Sequence, residues 1–158
     1  MILRFIKSKP LLWVALVILF ITWYISSFWY QLMLLQGESM EPAYHSGQFL
    51  ILDKHSKNYN YGDVIAIKKD NINGFLVKRI VAIPGDSVYI NNGVLYINGE
   101  AKKEWQEIID FAGIAKEPIV LREANYFVLG DNIKESKDSR YTEIGLINQN
   151  EIIGKVLK

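Results

Sequence analysis

The chain has 158 residues, no cysteine and a formal net charge of +1, its 18 basic and 17 acidic side chains scattered among one another. These values exclude disulfides, thiol nucleophiles and thiolate metal sites, and they leave no basic stripe for a nucleic-acid groove. The two histidines, His45 and His55, are too few for a zinc site, and no phosphate or dinucleotide glycine motif is present, so neither metal nor cofactor is expected.

Residues 10–35 carry no charged side chain. As a helix at ~1.5 Å per residue they would extend roughly 39 Å, enough to cross a ~30 Å hydrocarbon core with tilt. Trp23, Tyr24, Trp29 and Tyr30 fall in the second half of the run, where amphipathic rings favour the headgroup layer. Arg4, Lys7 and Lys9 precede it without an acid among them, which by the positive-inside tendency holds residues 1–9 in the cytoplasm. A cleavable secretory signal begins in a similar way, but its apolar core is ~7 to 15 residues long and ends in a small-x-small exit that this segment lacks. The expected organisation is a cytoplasmic N-terminus at 1–9, a transmembrane helix at 10–35, and one extracytoplasmic domain at 36–158.

Beyond the span the apolar runs are short and bounded by turn residues: 49–52, 64–67, 75–83, 88–90, 94–97, 126–129 and 152–157. That spacing predicts a mainly β domain. Asn91-Asn92-Gly93 between two such runs predicts a hairpin, because Asn and Gly tolerate positive φ. The stretch 99–123 is more polar, and 104–111 reads either as a short helical turn or as an irregular loop.

Lys78 lies inside a strand-like run. Alternation places it on one face with Leu76, Ile80 and Ala82, and Arg79 on the other. Two readings stand on the residues alone. Either the stem lies across an apolar edge with its ammonium in water, or burial lowers the pKa from ~10.4 and leaves an amine able to act as a base. Ser39, taken alone, is a loop serine of the solvated or capping kind.

Three ordered blocks change that reading: Gly37-Glu38-Ser39-Met40-Glu41-Pro42, Lys78-Arg79-Ile80-Val81-Ala82-Ile83-Pro84-Gly85-Asp86, and Gly130-Asp131-Asn132-Ile133-Lys134-Glu135-Ser136-Lys137-Asp138-Ser139-Arg140. Together the chain resembles the bacterial type I signal peptidase (leader peptidase) family in its short form. The resemblance implies an antiparallel β catalytic core after one transmembrane helix, with a second β region reduced by the short interval between Asp86 and Gly130. It also implies a serine endopeptidase that removes signal peptides from exported preproteins at the bacterial cytoplasmic membrane, beside membrane lipid and near the export machinery.

On that resemblance Ser39 is the nucleophile, Lys78 the base, Ser136 the hydroxyl that orients the lysine, and Gly130, Asp138 and Arg140 the supporting residues. Leu35, Gln36, Met40, Leu76 and Val77 are the expected substrate-pocket walls. Gly37 stands where some relatives place an oxyanion-hole serine, Ile133 where arginine is frequent, and Ala43-Tyr44 where Thr-Leu is common, with Tyr44 expected to narrow the pocket. Two alternatives share the residues: a specialised maturation peptidase for conjugation or pilus subunits, and a catalytically silent paralogue that binds signal peptides. The membrane span argues against a soluble self-cleaving repressor, and intact Ser39 and Lys78 argue against silence.

Overall fold

The computed structural model describes residues 10–102, 105 and 109–157. The basic N-terminal flank, with Arg4, Lys7 and Lys9, and half of the ambiguous 104–111 stretch lie outside these residues.

Pro10–Trp29 forms the helix α1, none of whose side chains is buried by the rest of the protein. Its proline sits at the first helical position, where the missing N–H costs nothing. Twenty residues at ~1.5 Å each span about 30 Å, the thickness of a hydrocarbon core. Two of the hydroxyls on this surface are satisfied internally: Thr22 Oγ1 donates to the Ile18 carbonyl and Ser27 Oγ to that of Trp23, each at 2.8 Å. That arrangement suits a medium without water.

The helix does not continue to residue 35. At Tyr30 the chain passes without a linker into the strand β1 (Tyr30–Leu34), which pairs antiparallel with β2 (Phe49–Asp53) in the register Tyr30↔Asp53 to Leu34↔Phe49. The apolar run is uninterrupted there, so local composition does not stop the helix. What the last residues gain by leaving it is a set of ladder hydrogen bonds to a partner strand, with Met33 buried and its neighbours turned outward.

The remaining strands are β3 (Val64–Ile67), β4 (Leu76–Ala82), β5 (Ser87–Asn91), β6 (Val94–Ile97), β7 (Glu100–Ala101), β8 (Ile119–Val120), β9 (Asn125–Leu129), β10 (Ile147–Asn148) and β11 (Ile152–Val156). They form a seven-stranded sheet in the order β1-β2-β11-β3-β4-β9-β10 and a four-stranded sheet in the order β7-β6-β5-β8. All pairings are antiparallel, which makes the mainly β class a finding. The smaller sheet occupies the interval between Asp86 and Gly130, where a reduced second β region is expected. Its hairpin turns at Asn92 (φ 49°) and Gly93 (φ 77°), and two successive positive φ values are those of a type I′ turn.

Packing divides the interior into three clusters. Val81, Phe127 and Leu129 from the large sheet close on Val88, Leu95 and Ile97 of the small one. Met33, Leu35, Met40, Leu50, Leu52 and Val77 pack beneath the β1–β2 connection. Ile65, Ile80, Val128 and Ile147 fill the third, with Leu76 partly buried against it. The second cluster matters for the site, because it fixes the loop that carries Ser39 against the start of β4.

Candidate active site

Ser39 sits on the connection between β1 and β2, and this connection is held at both ends. Leu35 N–H donates to the Gln48 carbonyl and Gly47 N–H to that of Leu35, each at 2.8 Å. Gly37 enters the turn at φ 90°, a conformation side-chain-bearing residues rarely adopt, and its N–H donates to Ser46 Oγ at 3.2 Å. The peptide between Glu41 and Pro42 is cis. Two further contacts lock the turn: Met40, fully buried, anchors it from below, and Asn132 N–H donates to the Ser39 carbonyl at 3.1 Å.

Lys78 reaches the same point from β4. Its Nζ lies 2.5 Å from Ser39 Oγ, and the residue is only 3% exposed. Burial is the largest influence on its pKa, which falls from 10.5 to about 8; Asp138 opposes the fall, Arg140 adds to it and Asp131 opposes it. The buried reading of Lys78 is therefore the one realised. An ammonium taken out of water loses hydration that two carboxylates restore only in part.

The supporting block 130–140 is built on a buried ion pair. Arg140 Nε donates to Asp138 Oδ1 at 2.7 Å and Nη2 to Oδ2 at 3.0 Å, both side chains being almost wholly buried. The same Nη2 donates to the carbonyls of Ile133 (2.9 Å) and Ser136 (3.0 Å), while Asp138 Oδ2 accepts from Gly130 N–H at 3.2 Å. The pair thus draws three backbone groups into one fixed loop. Gly130 needs its missing side chain: a Cβ there would collide with the Ser136 hydroxyl and the Ser39 carbonyl oxygen. Ile133, at the position where arginine is frequent, is buried in the cluster shared with the small sheet.

Ser136 is brought to this centre, at 2% exposure, but its Oγ makes no hydrogen bond among the described residues. The expected bond to Lys78 is not formed, for Nζ turns to Ser39 and the Ser136 carbonyl is drawn to Arg140. Arg79, on the next position of β4, meets Asp131 in a two-pronged pair, Nε to Oδ1 at 2.7 Å and Nη2 to Oδ2 at 2.6 Å. That contact raises the Arg79 pKa further, with burial opposing.

A cleft of about 370 Å³ runs up to the Ser39–Lys78 pair. One wall is β1 and its continuation, which includes Leu35 and Gln36; the other is Gly74 to Lys78, which includes Leu76 and Val77. Leu35, Gln36, Leu76 and Val77, four of the five residues expected as walls, thus line this cleft. Met40 is the exception: it faces the core instead of the cleft, because the turn that exposes Ser39 directs the next side chain inward. Tyr44 does not narrow this cleft either; it packs on the same core cluster and lines a separate depression with Asp63 and Lys155. The β1 contribution, Gln31 to Leu34, lies within the run that composition assigns to the helix, and an uninterrupted apolar run offers no signal for the change.

Comparison with known proteins agrees with this architecture. Residues 8–157 match the family model described as signal peptidase, peptidase S26. The chain is 34% identical over 143 residues to signal peptidase I of Bacillus licheniformis, covering 82% of this chain and 76% of that protein. It is 32% identical over 163 residues to signal peptidase IB of Staphylococcus aureus, covering 90% and 82% respectively. The crystal structure of a signal peptidase I from Enterococcus faecalis superposes with a TM-score of 0.52 at 27% identity, covering 64% of this chain and 97% of that one. The helix α1 is long and apolar enough to cross a membrane. The chain belongs to the signal peptidase family, peptidase S26.

Proposed function

We infer that the protein is a membrane-anchored endopeptidase that removes signal peptides from exported preproteins, with Ser39 as nucleophile and Lys78 as general base. The observation that carries this reading is the 2.5 Å contact between Ser39 Oγ and a buried lysine whose pKa has fallen to about 8. In its neutral form Nζ accepts the Ser39 proton while Oγ attacks the scissile carbonyl carbon. The resulting ammonium gives that proton to the departing amine, leaving an ester on Ser39. Water, deprotonated by the same amine, then releases the signal peptide and restores the hydroxyl. The Ser39 backbone N–H is the first oxyanion donor in this scheme; Gly37 supplies no side chain for the second. The unpartnered Ser136 hydroxyl has a role here as well: a buried hydroxyl without a partner costs ~1–3 kcal/mol, and accepting from the newly formed Lys78 ammonium would relieve that cost when the reaction needs it.

Substrate binding follows from the free edges beside the dyad. β4 pairs with β9 only from Arg79 onward, so Leu76 to Lys78 face the cleft, opposite β1 at the rim of the sheet. An extended peptide laid between them gains main-chain hydrogen bonds on both sides, with alternate side chains entering the walls at Leu35, Gln36, Leu76 and Val77.

Siting at the membrane has two supports. The basic flank Arg4, Lys7 and Lys9 argues for a single-pass anchor in the bacterial cytoplasmic membrane with the catalytic domain outside. In addition, Tyr30, Leu32 and Leu34 of β1 and Phe49 and Ile51 of β2, paired across the ladder, are all exposed. This apolar strip continues directly from α1 and suits contact with lipid. Preproteins then reach the cleft as they emerge from the export machinery beside it. The test is cleavage of a synthetic preprotein by the full chain in detergent or vesicles. Ser39→Ala and Lys78→Ala should each abolish it while leaving the thermal transition intact, and near-normal turnover by either purified variant would refute the dyad.

A further inference from the structure

The cleft that ends at Ser39 and Lys78 is longer than the reacting pair requires, for the same hollow also takes in Gln31 near the start of β1 and Gly74 and Phe75 at the entrance to β4. Both walls give the same measure of its length. Gln31 precedes Leu35, and Gly74 precedes Lys78, by four positions, which is about 13 Å of strand at ~3.3 Å per residue. An extended peptide with its scissile bond at Ser39 therefore fills the cleft with about five residues. The far end adjoins the anchor: Gln31 stands two positions after Trp29, the last residue of α1, and Lys54 N–H donates to the Trp29 carbonyl at 3.0 Å, tying the helix end to β2. A signal peptide whose apolar segment lies in the bilayer beside α1 enters at this end, so the residues in the cleft are those before the cut.

The chemistry of the far end is set by β1. Across the ladder Gln31 stands opposite Leu52 and Met33 opposite Leu50, and Met33, Leu35, Leu50 and Leu52 are buried in one cluster. Alternate side chains of a strand share a face, so Gln31 continues the inward row of Leu35 and Met33, of which it alone is polar. Gln31 is half-buried, and its carboxamide makes no hydrogen bond among the described residues. A substrate strand has the same period of two. Its first, third and fifth residues before the cut share a face, and over the length of the cleft that face meets Leu35, Met33 and Gln31 in turn.

We propose that Gln31 is a specificity-determining residue whose carboxamide hydrogen-bonds the side chain of the fifth residue before the scissile bond, selecting an amide or hydroxyl there over an aliphatic group. The inference rests on the endopeptidase reading above and adds one substrate position to it. A carboxamide carries both donors and an acceptor, so it serves an amide and a hydroxyl alike, whereas an aliphatic side chain laid over it leaves both without a partner. Phe75 lines the same end from the other wall. Its ring excludes water from one side of the contact, and a hydrogen bond beside apolar surface is stronger than one in open solvent.

The experiment compares kcat/KM of the full chain in detergent for two preproteins identical except at the fifth residue before the cut, which is Asn in one and Leu, of similar size, in the other. Wild type should favour Asn about three- to tenfold, the effect of one net hydrogen bond. Gln31→Leu removes no hydrogen bond seen in the fold and should bring the ratio to one or below, while Gln31→Glu, which keeps an acceptor for the Asn amide, should retain the preference. A second pair of substrates, with Ala or Leu at the third residue before the cut, reports on the wall at Met33, and its ratio should be the same in wild type and Gln31→Leu. A wild-type Asn-to-Leu ratio near one, a preference that survives in Gln31→Leu, or a third-position ratio that moves together with the fifth overturns the proposal and leaves the endopeptidase reading standing. Failure of wild type to cleave any of these substrates would sink that reading itself.

Discussion

Titrating the wild-type enzyme tests the role of Lys78 most sharply, because the amount of active base is fixed by the burial seen in the structure. With a pKa of about 8, roughly one lysine in eleven is neutral at pH 7; at the ordinary lysine value of 10.5 the fraction would be about three in ten thousand, some ~300-fold lower. kcat/KM should therefore rise about tenfold per pH unit below the midpoint and level off near pH 8 to 9, reporting the free-enzyme ionisation. Asp131→Asn should move the midpoint to lower pH. It removes a charge that favours the ammonium and leaves the Arg79 cation uncompensated nearby, so both effects have the same sign.

The same burial predicts a stability effect that does not depend on turnover. The folded pKa lies below the unfolded one, so between about pH 8 and 10.5 the unfolded chain binds more protons than the folded chain. Stability thus rises with pH across that window, and the penalty is fully present below it. At ~1.4 kcal/mol per unit the penalty is about 3 kcal/mol. Lys78→Met, which keeps much of the stem volume, should raise the denaturant midpoint at pH 7 and show a smaller gain at pH 10. A wild-type activity profile flat from pH 7 to 10, together with no stabilisation in Lys78→Met at pH 7, would mean that Lys78 is neither desolvated nor the base.

Other expectations separate the parts of the site. Ser136→Ala should lower kcat by a factor within the ~10² to 10⁴ typical of base positioning, with KM little changed; an unaltered kcat would remove Ser136 from the mechanism. Arg140→Ala should destabilise the domain by ~3–5 kcal/mol in urea unfolding, because it strands a buried carboxylate, whereas Arg79→Ala, at a partly exposed pair, should cost clearly less; equal losses would contradict this division. Small residues should be required at the first and third positions before the cut, since bulk overpacks a shallow wall, and equal cleavage of a substrate with an aromatic at the first position would discard that rule. Protease added outside spheroplasts should degrade the region after Trp29, and its protection in sealed cells would reverse the orientation.

Which of these features could be read from the sequence depended on whether a local pattern carried them. Val64–Ile67 and Val94–Ile97 fall where the apolar runs placed them, since turn residues bound both, and the Asn92–Gly93 hairpin follows from backbone conformations that few other residues tolerate. β7, β8 and β10 have two residues each, too few for a period of two to register. β1 was lost for a different reason: Tyr30 to Leu34 suit a membrane helix as well as a half-buried strand, and the choice is made by Phe49–Asp53, which the chain reaches only after the Ser39 turn.

The site divides along the same line. Alternation brought Leu76 and Ile80 to one core cluster beside a buried Lys78, so half of its environment was legible locally; the other half, Asp138 and Arg140, comes from sixty residues away and was supplied only by resemblance. Met40 shows the limit of arguing from adjacency. Neighbours in sequence share a site only when the backbone turns them the same way, and the turn at 38–41 sends Ser39 out and Met40 in. That opposition is itself functional in the proposed scheme: a nucleophile on a connecting loop has no strand to hold it to a fraction of an ångström, so the buried Met40 anchor and the Asn132 N–H on the Ser39 carbonyl take over the positioning that a strand gives Lys78.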